Sequence, residues 1–206
     1  MKRLLLLVSC FVCAGAFAQD ADKAIESVKE KLALDDRTSV FDVKAVPTNG
    51  PTVLTGETSV PQAKEELLGM LKEQGIETID AITLLPDKKA LDGKIYGVIR
   101  IPVGTLRYGP SYASEQATQL LMGTPVRILK KEGWYLVQTP EDYVSWVSSS
   151  SVEPMTRQQF NEYLSHKKLI FLSDEGWIYE KPDASSARIA SVVVGALLLD
   201  KGSKGK

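Results

Sequence analysis

Cysteine and histidine, the side chains that most often carry nucleophilic or metal chemistry, are nearly missing: the 206 residues hold two cysteines, Cys10 and Cys13, and one histidine, His166. Both cysteines fall in a segment built like a cleaved secretory signal. Met1-Lys2-Arg3 is cationic, Leu4 to Phe17 is apolar, and the small-x-small tripeptide Ala16-Phe17-Ala18 precedes Gln19-Asp20. Cleavage after Ala18 leaves a mature chain without a thiol nucleophile, a disulfide or a thiolate metal ligand. The apolar run falls short of the roughly twenty residues that a membrane anchor needs. Leu7-Val8-Ser9-Cys10 has the form of a lipid-modified site, but only six residues separate Cys10 from Arg3. The expectation is a protein exported to the periplasm or cell envelope and released from its signal.

Net charge is missing too, with 25 Lys and Arg against 26 Asp and Glu and no strongly basic block before the tail from Lys201 to Lys206. Nucleic acid is therefore not expected as a partner. No later stretch approaches spanning length, since even Ile189 to Leu199 is interrupted by Ser191 and Gly195, and no membrane contact is expected after signal cleavage. His166 follows a helical stretch and reads as a solvated helix end. The hydroxyls of Ser148 to Ser151 lack the Gly-x-Ser-x-Gly setting of a strained nucleophile, and Asp35-Asp36 and Glu65-Glu66 read as solvated charges rather than a hydrolase dyad. No catalytic set, metal or cofactor is expected, which leaves a binding module held together by ordinary burial.

Between Asp20 and Asp87 the pattern reads helix, strand, strand, helix, strand. Ala24, Ile25, Val28, Leu32 and Leu34 recur at helical spacing, and Phe41, Val43 and Ala45 alternate as in a half-buried strand. Asn49-Gly50-Pro51 reverses the chain into Thr52 to Gly56. Pro61 suits a first helical turn, Ala63, Leu67, Leu68 and Leu71 form a stripe, and Gly75 ends that helix. Ile76, Ile79, Ile82 and Leu84 lead into a last strand closed by Pro86-Asp87. Such a unit packs its helices on one face of a three-stranded sheet. The order, with Val53-Leu54-Thr55-Gly56-Glu57, resembles the BON-type domain of bacterial envelope proteins over residues 20–87.

From Tyr96 to Pro154 the texture changes to short runs separated by Gly and Pro: Val98 to Ile101, Pro125 to Leu129, Trp134 to Gln138 and Val144 to Val147. That spacing suggests a small β-barrel. The segments beginning at Leu106-Arg107-Tyr108-Gly109-Pro110-Ser111, Gly123-Thr124-Pro125-Val126 and Glu132-Gly133-Trp134-Tyr135, followed by Trp146-Val147, resemble the bacterial SH3 domain over residues 96–154. Residues 155–166 read as a polar helical connector with Phe160 and Leu164 one turn apart. Residues 167–206 then repeat the pattern: Pro110 precedes Gly123 by thirteen residues, and Pro182 precedes Gly195 by the same thirteen. The second copy has little left after Gly195, so the expected fold is an α+β (α-β-β-α-β) N-terminal domain followed by all-β bacterial SH3-like barrels, the second incomplete. A fragment or early-terminated reading frame is the corresponding expectation.

In SH3-like positions Trp134, Trp146 and Trp177 are expected to complete barrel cores. Tyr108, Tyr112, Tyr135 and Tyr143 are the candidate ligand-facing residues, because a tyrosine on a barrel loop offers an apolar face and a hydroxyl. A tandem of such domains behind an exported N-terminal domain resembles the front of NlpC/P60 cell-wall peptidases of the dipeptidyl-peptidase VI type. That resemblance implies that Tyr143, by its place in Tyr143-Val144-Ser145-Trp146, helps hold the free amino terminus of a peptidoglycan stem peptide together with an acidic residue. Ser145 stands where the pattern usually has glycine. The acidic position aligns near Ala117, so Glu115 serves only if its loop leans inward.

Three functions follow as expectations. The first is a cell-wall recognition module that binds muropeptides without turnover. The second is the front half of an NlpC/P60 γ-D-glutamyl-diamino-acid cysteine peptidase whose catalytic cysteine and histidine lie in a missing peptidase domain. The third is an envelope protein-interaction module.

Overall fold

The computed structural model of the protein describes residues 20–202. The expected signal segment, its cleavage point after Ala18 and both cysteines lie outside the described residues. Two compact units divide the chain, Met1–Leu85 and Pro86–Lys206.

In the first unit, helix α1 is described over residues 20–31 and buries Ala21, Ala24, Ile25 and Val28, the i, i+3, i+4, i+7 stripe of an amphipathic helix. Strands β1 (Phe41–Val46) and β2 (Thr52–Thr58) pair antiparallel. Helix α2 (Pro61–Glu73) starts on the expected proline and buries Ala63, Leu67 and Leu71 one turn apart. Strand β3 (Thr78–Leu84) returns parallel to β2, giving the sheet order β1-β2-β3. Val43, Leu54 and Ile82 join both helices in one core. The Lys64 ammonium ties α2 to β3, donating to the Ile82 carbonyl at 2.7 Å and pairing with Asp80 at 2.8 Å. The α-β-β-α-β order is the expected one. Ile79 and Leu84, which helped to announce the last strand, are exposed.

The second unit is built on β4 (Tyr96–Ile99), β5 (Val103–Arg107), β6 (Gln116–Leu121), β7 (Pro125–Glu132), β8 (Trp134–Gln138), β9 (Val144–Ser148) and β10 (Val152–Met155). These form one seven-stranded sheet in the order β10-β4-β7-β8-β9-β5-β6, and it encloses Ile99, Leu106, Ile128, Val137, Val147 and Val152. Strands β5, β6 and β10 carry too little apolar patterning to stand out in the sequence; Gln116-Ala-Thr-Gln of β6 buries nothing before Leu120.

Ser145 lies in β9, 2 % exposed, and its hydroxyl has no hydrogen-bond partner among the described residues. A buried hydroxyl left unpaired costs on the order of 1–3 kcal/mol. Ser145→Ala is therefore expected to raise the unfolding free energy by about 1 kcal/mol, read from urea denaturation. Unchanged or lower stability would count against the placement of this hydroxyl.

Helix α3 (Arg157–Ser165) begins at a capping box in which Thr156 and Gln159 satisfy each other's backbone amides. The expected helix is there, but its anchor is different. Leu164 is half exposed, while Tyr163 is buried and donates its phenol to the Gly123 carbonyl at 2.5 Å. Burial raises the Tyr163 pKa above the ordinary phenol value.

Strands β11 (Lys168–Ile170), β12 (Glu175–Tyr179), β13 (Arg188–Val193) and β14 (Leu197–Leu199) follow. The shift that carries Gly123 to Gly195 turns each β5·β6 pair into a β12·β13 pair, from Val103↔Leu121 into Glu175↔Val193 through to Arg107↔Gln116 into Tyr179↔Arg188, bulge included. It likewise turns the β4·β7 register into that of β11·β14. Gly123 and Gly195 share a left-handed φ, 86° and 84°. Two copies of one supersecondary unit thus keep a common hydrogen-bond register. Val192 and Ala196 of the second copy share a buried cluster with Met122 of the first.

Candidate functional site

Strands β8 and β9 pair Trp134↔Ser148, Leu136↔Trp146 and Gln138↔Val144. Because side chains alternate along a strand, these residues form one face, on which only Leu136 is buried, and the buried Tyr135, Val137, Ser145 and Val147 form the other. This places Trp134 and Trp146, expected in the core, half-buried on the barrel's outer face. The Lys130 ammonium sits 5.2 Å from the Trp146 ring centroid and pairs with Glu132 at 2.9 Å, within cation–π range. Trp177 is likewise no core residue: it is 50 % exposed under the Arg188 guanidinium.

The segment between β5 and β6 folds so that Tyr108 N–H donates to the Glu115 carbonyl at 3.1 Å, and Arg107 reaches the Ser114 carbonyl at 2.6 Å. Tyr112 rests edge-on against Trp134, centroids 4.8 Å apart, and its phenol meets Ser148 Oγ at 3.3 Å, with Ser150 Oγ 2.9 Å beyond. The result is an exposed aromatic corner with a row of hydroxyls beside it, groups whose chemistry is stacking and hydrogen bonding.

Of the five sequence-derived candidates, four are exposed. Tyr112 is 73 % exposed and built into the aromatic corner; Tyr108 is exposed, and Glu115, also exposed, has no side-chain partner among the described residues. Tyr143 is 41 % exposed on the β8–β9 turn, held by Thr139 N–H donating to its carbonyl at 2.9 Å and by its own N–H donating to Thr139 Oγ1 at 3.2 Å. Among the described residues no hydrogen bond or ring contact joins its side chain to those of the other four candidates. Tyr135 is a correction. It lies in strand β8 rather than on a loop, and its ring is 7 % exposed within the barrel core. Among the described residues no group of three or more His, Cys, Asp and Glu side chains is arranged to hold a metal.

Residues 106–152, from β5 to the start of β10, match the family model described as the bacterial dipeptidyl-peptidase SH3 domain. Over these residues the barrel is thus similar to bacterial SH3 domains of the dipeptidyl-peptidase kind. No curated protein matches the chain. Among solved structures, an NlpC/P60 endopeptidase from Photobacterium damselae subsp. piscicida is 16 % identical over 59 % of this chain and 29 % of its own, with a TM-score of 0.44. An NlpC/P60 family protein from Bacillus cereus ATCC 10987 is 16 % identical over 50 % of this chain and 47 % of its own, at 0.41. NlpC2 from Trichomonas vaginalis is 18 % identical over 52 % of this chain and 38 % of its own, at 0.27. The chain spans less than half the length of each.

Proposed function

We propose that the protein is an exported cell-wall recognition module whose SH3 barrel binds peptidoglycan stem peptides without cleaving them. The observation that carries the reading is the exposed aromatic surface of a barrel matching the dipeptidyl-peptidase SH3 family: Tyr112 against Trp134 with Ser148 and Ser150 alongside, and Tyr143 on the β8–β9 turn. Aromatic faces bind the apolar parts of a small ligand at low entropic cost, and hydroxyls orient its polar ends. In this reading the phenol of Tyr143 orients the free amino terminus of the peptide and Glu115 supplies the opposite charge. The first 18 residues act as the export signal, and the first unit is a BON-like domain.

The test is a calorimetric titration of the mature chain with purified stem peptides. Binding in the micromolar to millimolar range is expected, and Tyr143→Ala should weaken it about fivefold to tenfold, the scale of one lost hydrogen bond with its stacking. An unchanged affinity removes Tyr143 from the site, and no binding at millimolar peptide overturns the reading. The family description also favours a second reading, in which this chain is the recognition front of a cysteine peptidase acting on the same peptides. Chromatography of the incubated peptide separates the two: intact peptide fits recognition alone, and cleavage between its residues establishes the peptidase.

A further inference from the structure

A groove of about 280 Å³ opens beside the β8–β9 turn that carries Tyr143, and neither Tyr143 nor Glu115 lines it. Its floor is a row across three adjacent strands: Tyr96 of β4 pairs with Arg127 of β7, which pairs with Gln138 of β8. Phe160 of α3 closes one end, stacked on Tyr96 with centroids 4.6 Å apart and planes 15° from parallel. The turn through Thr139, Pro140 and Asp142 closes the other. That turn is rigidly set: Asp142 holds a left-handed φ of 66°, its N–H donates to the Thr139 carbonyl at 3.0 Å, and Thr139 Oγ1 accepts from Glu141 N–H at 3.3 Å.

Two opposite charges line this groove without neutralising each other. Arg127 and Asp142 are both exposed, they form no ion pair together, and neither side chain has a partner among the described residues. The row from Tyr96 to Gln138 covers two strand spacings, roughly 10 Å, and an extended dipeptide measures about 7 Å. A cationic group near Asp142 and an anionic group near Arg127, one strand away, suit the two ends of a dipeptide, and the Tyr96–Phe160 stack, with the Arg157 guanidinium 5.3 Å from the Tyr96 centroid, offers an aromatic wall to a side chain. Backbone strain at a groove mouth is a feature that surrounding structure must hold in place, and here two hydrogen bonds do so.

We infer that this groove binds a short zwitterionic peptide of about two residues, its α-ammonium at Asp142, its carboxylate at Arg127 and an apolar side chain against Tyr96 and Phe160. The inference does not rest on recognition of wall peptides by the aromatic corner. A plain dipeptide without wall chemistry is the probe, so its failure leaves that reading standing, and the reverse.

The experiment is an amide chemical-shift titration of the isotope-labelled mature chain with L-alanyl-L-leucine, with its N-acetylated form and with its C-amidated form. Shifts should gather at Arg127, Gln138, Thr139 and Asp142, and each blocked form should bind about fivefold more weakly, the scale of one exposed charge pair. Asp142→Asn should lower affinity for the free dipeptide by a similar factor and abolish the penalty for acetylation while keeping that for amidation. Arg127→Gln should do the converse. Both positions are exposed, and unchanged spectra elsewhere show that each variant is folded. The inference is overturned by absence of shifts at millimolar dipeptide, by equal binding of the three peptides, by a variant that keeps the penalty its charge should set, or by shifts that track self-association of the chain instead of the dipeptide.

Discussion

Replacing Gly56 by alanine is expected to cost the first unit about 3 kcal/mol or more, a large part of the 5–15 kcal/mol that holds a typical domain. Gly56 stands opposite Val43 in the β1–β2 ladder with φ at 114°, a conformation that side chains rarely adopt. A Cβ there would collide with the backbone carbonyl oxygen of Asp42. The neighbour is backbone inside a ladder, so it cannot rotate away as a side chain would, and relief requires that β1 and β2 part. Those strands carry Val43 and Leu54 into the core beneath α1 and α2, so the strain reaches the helices. Gly69, in α2 with open space around it, is the control: alanine there should add about 0.5–1 kcal/mol, because glycine is the poorer helix former. Urea denaturation followed by circular dichroism reads both. A Gly56→Ala midpoint close to that of the parent protein would mean that the strands tolerate the side chain and the ladder geometry is wrong.

How much of this was legible in the sequence depends on whether one face of an element differs chemically from the other. In α2 the spacing of Ala63, Leu67 and Leu71 could only be a buried stripe, and the helix formed with that stripe inward. In β1 the alternation of Phe41, Val43 and Ala45 with charged residues was equally plain. Strand β8 carries no such contrast. Trp134, Tyr135, Leu136 and Val137 are all apolar, so alternation cannot tell which two face the core, and the resemblance to barrel cores favoured the wrong aromatic. The structure turns Tyr135 inward and Trp134 outward, and the outward tryptophan is what Tyr112 covers. Tyr163 was hidden for the opposite reason. One buried tyrosine in an otherwise polar helix has no period, and its role comes from a carbonyl forty residues away that only the fold brings near. The charged groove joins residues from β4, β7, the β8–β9 turn and α3, a set that no local pattern could collect. The duplication was visible from two prolines and two glycines at equal spacing, yet that the copies share their register through a bulge needed the ladders themselves.

That duplication sets up the second large effect. Gly123→Ala is expected to destabilise the second unit by about 3 kcal/mol or more, and Gly195→Ala by about 1–2 kcal/mol, although both glycines hold the same left-handed conformation at the same repeat position. The conformational penalty is common to both, so the difference must come from the surroundings. A Cβ on Gly123 would run into the backbone carbonyl oxygen and the Cβ of Leu197. A Cβ on Gly195 would meet only the end of the Leu121 side chain, at 2.8 Å, and a leucine methyl can move aside. Gly123 is also held on two other sides, by its N–H donating to the Ile99 carbonyl at 2.8 Å and by its carbonyl accepting from Tyr163. Strain at Gly123 therefore falls on the Leu197 N–H bond to the Met122 carbonyl, at 2.9 Å, where the second copy joins the first. Hydrogen exchange reads this directly. The Leu197 amide should exchange faster in Gly123→Ala and keep its protection in Gly195→Ala, whereas equal losses in the two variants would mean that the left-handed conformation alone sets the cost and the contact between the copies contributes nothing.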